Sequence, residues 1–284
     1  MSRVFVDMVL SAPTDEEFKE TLSFHLHGLG FSGFLEDDRG MHCYISKQSW
    51  SDILHRNVLE LLHAHASRRI LISAIEEIED KNWNQQWEES IQPIDITPTI
   101  VITPSWHPLP GDVKKTVLLI DPKMSFGTGY HETTRLMIRL IEKYIAPGSI
   151  VLDVGTGTGV LAIAAVKLGA AHAVGVDTDE WCSMNGKENV ELNKLVDLVE
   201  IRLGSLEVVP EAGFDAIFAN ITRGTIIDLL PSMTEKLGQQ GIFIFSGFMA
   251  DDREIIAKAL ERSMCGILTI LQENEWLGVA ARKS

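Results

Sequence analysis

At 284 residues, 45% of them hydrophobic and 23% charged, the chain can bury one large core or two ordinary ones. Its formal charge of −15 provides no basic face for gripping a nucleic-acid backbone, so direct nucleic-acid binding is not expected, and the acidic surface suits a basic or neutral partner. No run of about 18 apolar residues is present, and the N-terminal stretch turns acidic too early for a signal peptide, so a cytoplasmic protein with no membrane association is expected.

In chain order, the first 80 residues read as a strand at Val4–Leu10, a helix opened by Thr14, Asp15, Glu16 and Glu17 and closed near Gly28 and Gly30, and a strand at 33–36. A turn at 37–40, a strand at 41–46, a helix at 50–66 and a strand at 70–75 follow. That βαββαβ order fits a small ferredoxin-like α/β sandwich. The segment 81–106 then changes character, with a short helix bearing Trp83 and Trp87, spaced prolines and alternating apolar residues, and reads as a linker helix, a hinge and the leading hairpin of a second domain. The expected organisation is therefore 1–80, 81–106 and 107–284.

From Thr133 onward strand and helix alternate. Strands are expected at Ile150–Val154, 173–177, Val199–Leu203, 216–220 and 242–245, with helices between them, and the last two apolar runs read as a closing antiparallel hairpin. This is the pattern of a doubly wound, mostly parallel sheet, which binds ligands beyond the carboxyl ends of its strands.

Two glycine-rich stretches stand close together in that domain. The second, LDVGTGTGVLAIAA, joins a strand to a helix, but Val160 occupies the place of the last glycine in a dinucleotide fingerprint. The pattern runs instead through Asp153, Gly155, Gly157 and Gly159. The glycines let a ligand approach the backbone, while the acid disfavours a pyrophosphate and favours an ammonium group. Asp177 follows at the end of the next strand, placed either to accept both hydroxyls of a ribose or to cap the next helix, a role that Thr178, Asp179 or Glu180 could also fill. S-adenosylmethionine, with an amino acid, a ribose and no phosphate, fits this set. The first stretch, FGTGYHETT, begins at Phe126 and leads into a helix; it reads as a lid or wall on that cofactor, with Thr133 and Thr134 presenting hydroxyls at the helix start.

FGTGYHETT, VLDVGTGTGVLAIAAVKLGAAHAVGVDTD and FANI at 218–221 resemble the ribosomal protein L11 methyltransferase family, as do the Trp83/Trp87 pair and PSW at 104–106. The similarity covers about residues 80–284. It implies a seven-stranded class I methyltransferase sheet, S-adenosylmethionine as cofactor, amino groups of ribosomal protein L11 as substrate, and cofactor contacts at Thr134, Gly155, Asp177 and Asn220. The family loop usually reads FGTGTHPTT, so Tyr130 and Glu132 replace Thr and Pro. The first 80 residues match weakly, although the family also carries a small substrate-recruiting α/β domain there. Their 14 acidic against 7 basic residues, net −7, suit a basic ribosomal protein.

Asn220 ends the fourth strand, where its amide is expected to hold the N–H groups of a target amine and aim the lone pair, and it is the candidate catalytic residue. No metal is expected: Cys43, Cys182 and Cys265 are isolated, and the pairs His25/His27 and His63/His65 have a spacing that points helical side chains apart. His131 is expected to shape the site, and a monomer is expected. An N-methyltransferase acting on another protein or a small amine, and a non-catalytic S-adenosylmethionine-binding protein, are the alternatives.

Overall fold

The computed structural model describes residues 4–11, 22, 25–37, 39–64, 70–79, 91–111, 113–123 and 125–284. The chain divides into two compact units, Met1–Gln86 and Trp87–Ser284. The start of the helix expected from Thr14, and the segment bearing Trp83 and Trp87, lie outside the described residues.

In the first unit, strands β1 (Val4–Leu10), β2 (Gly33–Asp37), β3 (Gly40–Ser46) and β4 (Ile72–Glu79) form an antiparallel sheet in the order β2-β3-β1-β4. Alternation sends Val6, Met8 and Leu10 of β1 and Met41, Cys43 and Ile45 of β3 to one side, where they pack with Leu22, Leu26 and helix α1 (Asp52–Ala64). The helix starts later than expected because the Ser51 hydroxyl accepts the Leu54 N–H at 3.2 Å and caps it. Strand β4 runs past Ile75 through Glu76 and Glu77, since a strand on the sheet edge can leave acidic side chains in water.

The other side of the sheet carries a polar cluster in which Asp7 and His42 are buried and Asp37 is exposed. His42 Nδ1 lies 2.7 Å from Asp7 Oδ2 and its Nε2 3.0 Å from Asp37 Oδ1. Burial opposes the imidazolium charge, but the hydrogen bonds to Asp7 and Asp37 outweigh it and raise the His42 pKa above its ordinary value.

In the second unit, β5 (Ile94–Thr97) and β6 (Ile100–Thr103) form a hairpin, and β7 (Thr116–Leu119) pairs parallel with β6 to complete a three-stranded sheet. Strand β7 is not among the strands expected from the sequence. Its four residues are too short to show a period and follow a proline- and lysine-containing loop. Then come α2 (Glu132–Tyr144), β8 (Ile150–Val154), α3 (Val160–Lys167), β9 (His172–Asp177), α4 (Glu180–Leu192), β10 (Val199–Leu203), β11 (Phe214–Asn220), α5 (Arg223–Lys236), β12 (Leu237–Met249), α6 (Arg253–Arg262), β13 (Cys265–Glu273) and β14 (Trp276–Lys283).

Strands β8 to β14 form one sheet in the order β10-β9-β8-β11-β12-β14-β13, with β14 antiparallel to both neighbours and the other pairs parallel. The doubly wound sheet and its closing hairpin are those the sequence predicted. The central strands are apolar on both faces because helices cover both. Val151, Ala216, Phe218 and Ile244 pack against α2, α3 and Val190 of α4, while Leu152, Ile217, Phe243 and Phe245 pack against α5 and α6. Helix α3 is buried all round except at Lys167.

Candidate active site

A cavity of about 290 Å³ opens at the carboxyl ends of β8, β9, β10 and β11. Strand β8 is the third of the seven strands, with β9 on one side and β11 on the other. The chain leaves the carboxyl end of β8 toward β9 and that of β11 toward β12, in opposite directions, and the crevice between these two strands is where such sheets accept ligands.

The floor is the glycine loop after β8. Gly155, Gly157 and Gly159 have φ of 73°, 54° and 80°, the left-handed region that glycine enters without strain. Here the two glycine stretches explain each other. The Thr158 N–H donates to the Phe126 carbonyl at 3.0 Å, and the Thr158 hydroxyl donates to the Gly127 carbonyl at 3.1 Å. A Cβ on Gly157 would lie 2.5 Å from the Phe126 carbonyl oxygen. The loops touch backbone to backbone, and the half-exposed Phe126 ring lines the cavity that the second loop floors.

Asp177 ends β9 and lines the cavity. Its Oδ2 accepts the Gly157 N–H at 2.9 Å and its Oδ1 the Asp179 N–H at 3.0 Å, so the carboxylate fixes the glycine loop and keeps further lone pairs. The helix cap is Asp179, which accepts the N–H groups of Trp181 and Cys182. Cys182 also lines the cavity, and burial raises its thiol pKa, which keeps it neutral.

Phe126, Gly155, Gly157, Asp177 and Asn220 thus share one cavity, whereas Thr134, Asp153 and Gly159 are not part of its wall. Asp153 differs from its expected placement beside an ammonium group. It projects to the sheet face covered by α3, is fully buried, and accepts the Thr156 hydroxyl at 2.7 Å, tying down the loop from beneath. Burial pushes its carboxyl up to about 7, and the nearby Asp177 charge adds to the rise. Thr133 and Thr134 are buried on α2 and do not cap it; His131 does, its Nδ1 accepting the Thr133 N–H at 3.2 Å. Among the described residues the Thr134 hydroxyl has no hydrogen-bond partner.

Asn220 ends β11 with its amide oxygen buried and without a hydrogen-bond partner among the described residues. Such an acceptor costs about 1–3 kcal/mol when left unsatisfied, and it lies in a residue that lines the cavity. Next to it, Ile221, Thr225 and Leu229 complete that wall.

The first loop is held from several sides. His131 packs edge-on to Trp276 at 4.8 Å and against Phe126 at 5.3 Å, so an aromatic chain leads from β14 to the cavity. Tyr130 and Glu132 both have partners: the Tyr130 hydroxyl accepts the Gln92 N–H at 2.6 Å and donates to its carbonyl at 2.7 Å, and Glu132 accepts the Asn274 amide at 2.8 Å. Arg135 donates to the Gly129 and Tyr130 carbonyls and pairs with Glu273.

Sequence reasoning missed an asparagine ladder on α4 and its C-terminal cap. Asn185, Asn189 and Asn193 recur every four residues, a spacing that aligns them on one helix face. Asn193 bonds both backbone groups of Leu119; Asn189 accepts the Asp121 N–H at 2.9 Å and donates to the Thr158 carbonyl at 2.9 Å. Asparagine recurring at that period was the available signal. Among the described residues no group of His, Cys, Asp and Glu could hold a metal ion, and no helix is long and apolar enough to cross a membrane.

A family model described as Ribosomal protein L11 methyltransferase (PrmA) matches residues 31–284. A ribosomal protein L11 methyltransferase of Caldicellulosiruptor bescii is 33% identical over 301 aligned positions, covering 97% of this chain and 98% of the relative. One from Caldicellulosiruptor saccharolyticus is 39% identical over 209 residues, covering 74% and 68%. The crystal structure of ribosomal protein L11 methylase from Lactobacillus delbrueckii subsp. bulgaricus is 32% identical, superposes with a TM-score of 0.63, and covers 68% of this chain and all of that one.

Proposed function

The chain belongs to the ribosomal protein L11 methyltransferase family, and from that premise we propose that it transfers methyl groups from S-adenosylmethionine to amino groups of ribosomal protein L11, on lysine side chains, the N-terminal amine or both. The observation that carries this reading is the cavity that gathers the bare glycine backbone, the Asp177 carboxylate and the Asn220 amide oxygen, which has no hydrogen-bond partner among the described residues.

When bound, S-adenosylmethionine supplies an electrophilic methyl group on a cationic sulfur. Asp177 accepts the ribose hydroxyls with the lone pairs left after its two backbone bonds, and the glycine loop lets the ligand come against the main chain. Asn220 accepts an N–H of the target amine and aims its lone pair into the cavity. A lysine ammonium with an ordinary pKa near 10.4 has to shed a proton before it can react, and the apolar wall of Phe126, Ile221 and Leu229 favours the neutral form by desolvation. Asp177 is the sole carboxylate lining the cavity among the described residues and is already engaged by two N–H groups, so the proton passes to water as the amine enters.

Residues 1–80 recruit the substrate, their net charge of −7 matching a basic ribosomal protein, and 81–106 act as linker and hinge. The protein works in the cytoplasm as a monomer. Asn220→Ala should lower turnover on L11 by about ten- to a hundred-fold while S-adenosylmethionine affinity, read by calorimetry, changes by less than roughly threefold. Equal losses in both would make Asn220 a cofactor ligand and nothing more.

A further inference from the structure

Strand β12 carries a β-bulge beside the cavity. Its pairing with β14 steps from Phe245↔Val279 to Phe248↔Leu277, so Ser246 and Gly247 together face Gly278. The buried Ser246 hydroxyl donates to the Leu277 carbonyl at 2.7 Å and fastens the bulge to β14. On its other edge β12 pairs with β11, and Ser246 lies opposite Asn220.

Gly247 has φ of 93°, and a Cβ there would lie 2.2 Å from the Ile221 carbonyl oxygen. Only a bare backbone can receive the main chain that follows Asn220. The Ile221 side chain in turn fills the space over Gly155, where a Cβ would lie 2.4 Å from its Cγ2. Ile221 is therefore gripped from two sides, by a glycine of the β12 bulge and a glycine of the loop after β8. The Asn220 amide oxygen makes no hydrogen bond of its own among the described residues, so no such bond to that oxygen fixes its direction. Its aim has to come from the backbone on which it stands.

We propose that the bulge at Ser246 and Gly247, acting through Ile221, is a positioning element that sets where the Asn220 amide oxygen lies in the cavity. The inference rests on the reading of Asn220 as the group that holds the target amine. Its physical weight follows from geometry, since a displacement of about 1 Å at a reacting centre costs on the order of a hundred-fold in rate.

The test uses Gly247→Ala and Ser246→Ala in the full-length protein, with three readouts. In the ligand-free protein, the Asn220 side-chain amide resonances, assigned by their loss in Asn220→Ala, should move in both variants. S-adenosylmethionine affinity should stay within roughly twofold of the wild type, whereas kcat on L11 should fall by about tenfold or more in Gly247→Ala and less in Ser246→Ala. Should Gly247→Ala fail to fold, Ser246→Ala, which removes one hydroxyl, carries the test. Unmoved Asn220 resonances in a folded variant, or affinity and kcat falling in equal measure, overturn the positioning role. A wild type that binds S-adenosylmethionine but methylates no L11 would count against the substrate reading, while moved resonances would still support the bulge as what fixes Asn220.

Discussion

Two acids within one strand-loop-strand unit do opposite things because their surroundings differ. Asp177 stands at the cavity with both oxygens bonded to backbone N–H groups, and Asp153 lies beneath the loop with one oxygen bonded to Thr156. Asp177→Ala removes the carboxylate proposed to accept the ribose hydroxyls and releases the Gly157 N–H, so S-adenosylmethionine affinity should drop by about 2–4 kcal/mol, roughly thirty- to several-hundred-fold. Calorimetry that finds unchanged affinity removes Asp177 from the site. Asp153 has a folded-state pKa of about 7 against an ordinary 3.8. Its stabilising contribution is therefore complete below about pH 4 and is lost as pH rises toward 7, because the folded state holds the proton more tightly than the unfolded chain. Relative to the wild type, Asp153→Asn should gain stability between pH 4 and 7 and no further above it, by an amount bounded at about 4 kcal/mol for a shift of this size. Denaturation profiles of the two proteins that stay parallel across that range would show that the Asp153 carboxyl is not held protonated.

At the scale of elements, the site depends on two loops that pack through bare backbone. Gly157→Ala would drive a Cβ to 2.5 Å from the Phe126 carbonyl, and carbonyl oxygens of a pinned loop cannot swing aside as a flexible side chain would. Gly148 is a matched control, with φ of 85° and nothing within 4 Å of where a Cβ would stand, so Gly148→Ala reports the left-handed strain alone. Gly157→Ala should cost about 1–3 kcal/mol more than Gly148→Ala and also weaken S-adenosylmethionine binding. Equal melting shifts for the two variants would mean that the loops do not constrain each other. Much of this architecture was legible in the sequence. The strands of the large sheet announce themselves as short apolar runs bounded by glycine and aspartate, and Asp177 and Asn220 fall at strand ends where ligands bind. What was not legible depends on long-range partners. Strand β7 exists because β6 offers it a parallel edge. The inward turn of Asp153 is set by the face its position takes in a sheet covered on both sides. The pairing of Phe126 with Thr158, and of Asn189 with Asp121, joins segments whose proximity no local pattern encodes.

At the scale of the whole molecule, the proposed function assigns different tasks to the two units. The second has its own apolar cores on both faces of its sheet and contains every described residue that lines the cavity. A truncated chain starting at Lys81 should therefore fold and keep S-adenosylmethionine affinity within roughly threefold, while losing most of its rate on intact L11 if the first unit has the proposed role of raising the local concentration of the target amines. A truncated chain that methylates L11 at the full-length rate would mean that the second unit reads the substrate alone. The most direct measurement is site-resolved mass spectrometry of purified L11 after incubation with the full-length protein and S-adenosylmethionine, with Asn220→Ala in parallel. Methyl groups on L11 amines, formed together with S-adenosylhomocysteine and reduced at least about tenfold in Asn220→Ala, are the predicted result. L11 left unmodified by a full-length protein that binds S-adenosylmethionine would contradict the account.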